Sequence, residues 1–320
     1  MSISEFQPDG SPRLADRGTP HGAHRSQGLS SSLSSLGGRP VRASDARLDE
    51  HLRQARGQDA LAGFVSGGRW SPSGTGSSHG GAIGATCGRG RMGEPRFDQP
   101  VATGGYLWRY VDALSHCGQY GLTLIAFVGS VFSPYYMRAR RSGQGDPLDH
   151  CALNVALYNP THQRWAMTER GAGWCERGAD YFSIGPSQLQ WDGQALHIDV
   201  REMTVPWAQT IEGRVSFYPD HLFNFGVNLD PQHRHMWGPL APSGRVTVQM
   251  KKPNLSWQGH AYLDSNEGSE PIEKPFQEWD WSRSRLANGD VAVMYDVQLK
   301  GGASQVLAYR FDTRGGVSTF

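Results

Sequence analysis

At 320 residues, with 38% hydrophobic and 19% charged side chains and a formal net charge of +1, the chain has room for one large or two smaller domains. That charge gives no global field to hold nucleic acid. The N-terminus lacks a secretory signal's basic and apolar regions, and no run reaches the roughly 20 apolar residues that span a bilayer, so a soluble cytoplasmic protein is expected.

Residues 1–95 are dominated by Gly, Ser, Arg and Pro, as in SQGLSSSLSSLGGRP, and carry too little apolar surface to offset chain entropy. They are expected to be disordered, apart from a short helical stretch between Ala43 and Phe64. The aromatic residues, 10 Trp, 11 Tyr and 12 Phe, almost all follow residue 96, so the remainder of the chain can bury a sizeable core. From Tyr106 the texture becomes short apolar runs separated by turn residues, the pattern of β-strands. Strands are predicted over Gly121–Phe132, Cys151–Leu157, Arg164–Glu169, Gln188–Trp191 and Ala195–Val200, the last two joined through Asp192-Gly193. Arg214–Tyr218, Arg245–Met250, Trp257–Leu263 and Phe276–Trp281 continue the series. Asn288-Gly289, a hairpin signal because both positions take positive φ, precedes a long strand presenting Val291, Val293, Tyr295, Val297 and Leu299 on one face. Gln305–Phe311 is the last strand. Many strands at short, turn-marked spacing define an all-β sandwich or barrel.

Few motifs carry chemistry. Cys87, Cys117, Cys151 and Cys175 form no C-x-x-C pair, so no zinc site or redox motif is indicated. Gly88, Gly90 and Gly93 fit G-x-G-x-x-G but lack the strand before and helix after that a phosphate cradle needs. His233, His235 and His260 resemble metal ligands only loosely, since nearby acids have no ligand spacing, and no metal is expected. The dense region is residues 232–283. On strand geometry His235 shares a face with Trp237; His260, Tyr262 and Asp264 share another; Trp279, Trp281 and Arg283 form a third set. Taken singly, Asp264 reads as a turn residue in Asp-Ser-Asn, His235 as a satisfied structural histidine and the tryptophans as core. Three sets that each place an aromatic beside an ionisable group favour a site, because a buried charge needs a partner.

The segments FDQPVATGGYLWRYVDALS, GLTLIAFVGSVFSPYY, NVALYNP, RWAMTERG, HMWGPLAP and W-x-G-x-AYLDSNEG-x-x-PIE, followed by F-x-x-WDWSR, resemble the acyclic carotenoid 1,2-hydratases of photosynthetic bacteria. The sequence is similar, more distantly, to tocopherol-cyclase-like proteins. This resemblance implies two lipocalin-like antiparallel β-barrels, at residues 96–242 and 243–320 after the disordered segment. Members of the family continue beyond the position matching Phe320, so the second barrel is expected to be incomplete. The resemblance further implies a cofactor-independent hydro-lyase that adds water to the terminal C1–C2 double bond of an acyclic carotenoid such as lycopene or neurosporene. It makes Asp264 the proton donor, with His235, Trp237 and Tyr262 placed around it. Trp257, His260, Trp279 and Trp281 are then the candidates for substrate contact. Because a polyene dissolves in the bilayer, peripheral contact with a membrane surface is expected, with Val131–Met137 as a candidate apolar lip.

Two other classes compete: a lipocalin-like carrier that binds a polyene without chemistry, and a lipocalin-type cyclase that traps the cation internally. A carrier has no need of an acid among aromatics, so Asp264 separates it from the enzymes. A glycosidase finds no second carboxylate of evident role.

Overall fold

The alternation that runs through the chain after residue 96 folds into strands, and the computed structural model describes residues 93–160, 163–205 and 207–320. The disorder expected before residue 93, and the helical stretch between Ala43 and Phe64, lie outside the described residues. The strands are β1 (Tyr106–Ser115), β2 (Gly121–Val128), β3 (Cys151–Tyr158), β4 (Arg164–Arg170), β5 (Cys175–Arg177), β6 (Tyr181–Ile184), β7 (Ser187–Trp191) and β8 (Leu196–Met203). They continue with β9 (Thr210–Pro219), β10 (Val227–Asn228), β11 (His235–Lys252), β12 (Leu255–Gly268), β13 (Phe276–Arg285), β14 (Val291–Leu299), β15 (Ser304–Phe311) and β16 (Val317–Thr319). Every pairing among them is antiparallel, as the all-β reading expects.

Twelve strands form one sheet in the order β4-β3-β2-β1-β12-β11-β9-β8-β7-β6-β5, with β10 pairing β11. The sheet curls until β4 meets β8 and β3 meets β6, giving a barrel-like shape. Its inside is filled by Leu107, Val111, Leu124, Val155, Phe217 and Val248, among others. Hairpin turns stand at both places read from the sequence, with Gly193 and Gly289 at φ of +93° and +90°, but Asn288, expected at positive φ as well, is not in that region; Asp192 Oδ1 accepts the N–H groups of Gln194 and Ala195 at 2.8 and 2.7 Å.

The remaining strands make a second, separate four-stranded sheet, β13-β14-β15-β16, in keeping with an expected second β unit that does not close. The boundary expected between residues 242 and 243 falls inside β11, which runs through it unbroken. β11 and β12 both belong to the large sheet, so the two sheets part between Gly268 and Phe276. The small sheet packs on the outer face of β1, β11 and β12, where a second core gathers Tyr106, Trp108, Trp237, Tyr262, Phe276 and Tyr295.

The apolar lip expected over Val131–Met137 is mostly turned inward. Ser133 caps a short helix, α1 (Pro134–Arg141), by accepting the Tyr136 N–H at 3.0 Å. Tyr136 is fully buried with its hydroxyl on the Gly105 carbonyl, Val131 and Phe132 pack on the second core, and Tyr135 points out.

Candidate active site

β12 sorts its side chains by parity. Odd-numbered Ala261 and Leu263 fill the barrel, while Tyr262 and Asp264 face the small sheet. Register puts Asp264 opposite Tyr110 of β1 on one side and Pro239 of β11 on the other. Trp237 then reaches Asp264 from β11: its Nε1–H donates to Asp264 Oδ2 at 2.9 Å. The Tyr262 hydroxyl donates to the same oxygen at 2.8 Å. Oδ1 is buried and has no hydrogen-bond partner among the described residues.

This asymmetry decides which form the carboxyl takes. Burial pushes its pKa up to about 7, the nearby Asp112 charge adds to the rise, and the two donated hydrogen bonds and Arg109 oppose it. Near neutral pH the proton is therefore present in about half the molecules, against roughly 0.1% for an ordinary aspartate. Because Oδ2 already accepts two hydrogen bonds, the proton belongs on Oδ1.

Aromatic rings enclose the acid from both sheets. Trp281 of β13 lies 5.2 Å from Tyr262 and 5.4 Å from Tyr110, and Tyr295 of β14 lies 5.4 Å from Trp237. Burial and the Asp264 charge hold the Tyr262 and Tyr295 phenols above their ordinary pKa, so both stay neutral. Asn266 Nδ2 donates to the Tyr295 hydroxyl at 3.3 Å. Beside Tyr262, Arg283 Nε donates to both Asp112 oxygens, at 2.7 and 2.9 Å, and the guanidinium stands 5.5 Å from the Tyr262 ring centre. This pair is nearly buried and ties β13 to β1.

Of the residues expected at the site, Asp264, Trp237, Tyr262 and Trp281 are brought together. His235 is buried between the rings of Tyr106 and Phe276. Its Nδ1 is 2.9 Å from the Tyr106 hydroxyl and its Nε2 is 3.8 Å from Glu270 Oε1. Burial lowers its pKa, so the ring is neutral near pH 7. It pairs with Gly268, four residues along β12 and thus about 13 Å from Asp264. A Cβ at Gly268 would stand 2.7 Å from His235 Nδ1, so this side chain needs glycine opposite it. His260 lies the same distance the other way, at the surface, with Nε2 2.8 Å from Arg285 Nη1. Trp279 sits at the rim, 6.3 Å from Phe276. Trp257 is not on this face: its odd parity turns it into the barrel core. Among the described residues no group of three or more His, Cys, Asp or Glu is placed to hold a metal.

Sequence reasoning missed Tyr110, Asp112 and Asn266. Tyr110 and Asp112 carried a usable signal, since they repeat in YLWRYVDALS the aromatic-then-acid spacing of Tyr262 and Asp264.

A buried carboxyl that is half-protonated near pH 7, caged by aromatic rings between two β-sheets, makes a candidate acid–base site with apolar walls. The comparisons give that class its family. The model of the carotenoid hydratase CrtC family matches residues 124–320. The acyclic carotenoid 1,2-hydratase of Rubrivivax gelatinosus is 46% identical over all of this chain and 80% of its own length. That of Thiocapsa roseopersicina is 45% identical over 93% of this chain and 73% of its own. A solved structure described as a putative AttH from Nitrosomonas europaea superposes with a TM-score of 0.48 at 16% identity, covering 67% of this chain and 68% of that one. The chain belongs to the carotenoid hydratase family, enzymes of the hydro-lyase class.

Proposed function

We propose that this enzyme adds water across the terminal C1–C2 double bond of an acyclic carotenoid of the lycopene or neurosporene type, using no cofactor. Asp264 Oδ1–H protonates C2, leaving a tertiary carbocation at C1. Water attacks C1, and the proton it loses returns to the Asp264 carboxylate, so atoms and charge balance over one turnover. Trp237, Tyr262, Trp281 and Tyr295 surround the cation with ring faces, each contributing roughly 0.5–2 kcal/mol. His235 then acts by position, bracing the end of β11 against Tyr106 and Glu270.

The observation that carries this reading is the split carboxyl, with Oδ2 twice hydrogen-bonded, Oδ1 bare, and a pKa of about 7. A carrier would bury such a group at a cost and gain nothing from it. The polyene substrate implies a protein that works at a bilayer surface, on the cytoplasmic side. Among the described residues no helix is long and apolar enough to cross a membrane.

The test is incubation with lycopene in detergent, with a strong chelator and no added cofactor, followed by mass analysis of the products. A gain of one water supports the reading. Bound but unchanged lycopene makes the protein a carrier, and an isomer of unchanged mass makes it a cyclase.

A further inference from the structure

We propose that the enzyme docks on an anionic lipid bilayer through one aromatic edge of the barrel, made by Trp165, Met203, Val205 and Trp207. The proposal rests on the hydratase reading, which supplies a substrate dissolved in that bilayer. Trp207 is 78% exposed, and Met203, Val205 and Trp165 are all exposed beside it. They form one surface, because the Val205 N–H donates to the Trp165 carbonyl at 3.2 Å and Arg164 Nη1 donates to the Thr210 carbonyl at 2.7 Å. Hydrogen bonds tie the two ends of the segment that carries Trp207. Thr204 N–H donates to the Gln209 carbonyl at 2.8 Å, and the Gln209 N–H returns to Thr204 Oγ1 at 3.0 Å. Single exposed apolar residues are common on soluble proteins, but four on one edge mark a contact.

Charge selects the partner. Arg201 and Lys252 line a cleft of about 290 Å³ together with Met203 and Thr210, and Arg164 donates to the Thr210 carbonyl. The carboxylates of that cleft face cations: Glu202 is held by Arg170 at 2.8 Å and Glu212 lies 3.8 Å from Lys251. Tryptophan at the headgroup level with Lys and Arg beside it is the composition that anionic lipid surfaces attract.

Register joins this edge to the acid. Asp264, Tyr110, Ile125, Asn154 and Met167 lie opposite one another across β12, β1, β2, β3 and β4. Four interstrand steps make a row of about 19 Å. The neighbouring row ends at Trp165, whose Nε1–H donates to Asn154 Oδ1 at 2.7 Å. A polyene with its terminal double bond at Asp264 and its chain along this row leaves the protein beside Trp165 and Trp207, where the bilayer would be.

The experiment uses the full chain and vesicles of phosphatidylcholine, with and without phosphatidylglycerol, read by co-sedimentation. Parent protein is expected to sediment with the anionic vesicles. Trp207→Ser, and the Trp165→Ser/Trp207→Ser pair, should lower that partition by about tenfold or more. Turnover of lycopene held in vesicles should fall in parallel, while turnover in detergent micelles is unchanged. Trp207→Ser alone touches no core contact and covers the case in which the pair fails to fold. Tyr135→Ser on α1, exposed elsewhere, should leave partition unaltered. The proposal is overturned if the parent ignores anionic vesicles, if Trp207→Ser binds them like the parent, or if Tyr135→Ser is the variant that loses binding. It is also overturned if the parent is a dimer without lipid and Trp207→Ser is a monomer, which makes the edge a contact between copies. Loss of parent turnover in micelles would instead remove the hydratase reading, and sedimentation reports on docking independently of it.

Discussion

Replacing Asp264 by Asn should abolish hydration and, at alkaline pH, make the protein more stable relative to its parent. Asparagine fits the same space. Its carbonyl oxygen can accept from Trp237 and Tyr262 as Oδ2 does, leaving the amide where Oδ1 has no partner. Only the transferable proton is lost, so turnover should fall by more than the 10²–10⁴ typical of an auxiliary acid. The stability effect follows from the same group. An acid lifted from 3.8 to about 7 by folding binds more protons folded than unfolded between those values. Stability from this group therefore declines as pH rises through that window and is level above it. The full shift corresponds to about 4 kcal/mol, of which about 2–3 kcal/mol falls between pH 5 and pH 8. Asn does not titrate, so D264N should lack this decline. Denaturant unfolding of both proteins at the two pH values measures the difference, and mass analysis of lycopene products measures activity. The reasoning fails if folded D264N retains more than about a tenth of parental turnover. It also fails if parent and variant lose stability with pH in parallel.

In the parent, turnover in micelles should be level below neutrality and fall about tenfold per pH unit above an apparent pKa near 7, since the protonated acid is the active form; a rate that rises with pH would assign the chemistry to a base. Asp112→Asn removes a charge that helps keep Asp264 protonated, so the alkaline limb should move to lower pH, and the loss of the Arg283 partner should lower the thermal transition. An unmoved limb would show that burial alone sets the acid. Trp281→Ala should raise KM for lycopene, whereas Trp257→Phe should leave KM unchanged and cost stability, because Trp257 packs inside the barrel; equal KM effects would contradict this placement of the two tryptophans.

Much of β12 was legible because its two faces differ in kind. Ala261 and Leu263 are wholly apolar, whereas His260, Tyr262 and Asp264 alternate with them, and a period of two can be read wherever the faces differ. The same parity assigns Trp257 to the inner face, so composition had misplaced a residue that spacing could sort. β11 was legible only in part. Gly238-Pro239 and Pro242-Ser243-Gly244 read as turn signals and confined the expected strand to Arg245–Met250, yet the strand runs from His235 to Lys252. Register shifts between Pro239 and Ala241, and between Ala241 and Gly244, absorb those residues as bulges, the setting in which a strand tolerates proline. β1 escaped because both of its faces are buried. Arg109 points inward to Ser265 Oγ at 2.5 Å while Trp108 and Tyr110 join the second core, so no solvent face marks the alternation.

The two sheets matter to the chemistry more than to the count of domains. Asp264, Trp237 and Tyr262 all belong to the large sheet, and on it alone they would face water, where a carboxyl that accepts two hydrogen bonds is held below its ordinary pKa. Trp281 and Tyr295 of the small sheet remove that water, and Arg283 anchors the small sheet to Asp112 on β1. Burial is the largest cause of the raised pKa, so the small sheet helps a hydrogen-bonded carboxyl keep its proton near pH 7. Within the large sheet the Asp112 charge also disfavours ionisation of Asp264, while the Arg283 guanidinium that pairs with Asp112 stands over the Tyr262 ring. A carboxyl that holds its proton near pH 7 thus requires residues from both sides of the 268–276 junction. A boundary that separated them would also divide the site.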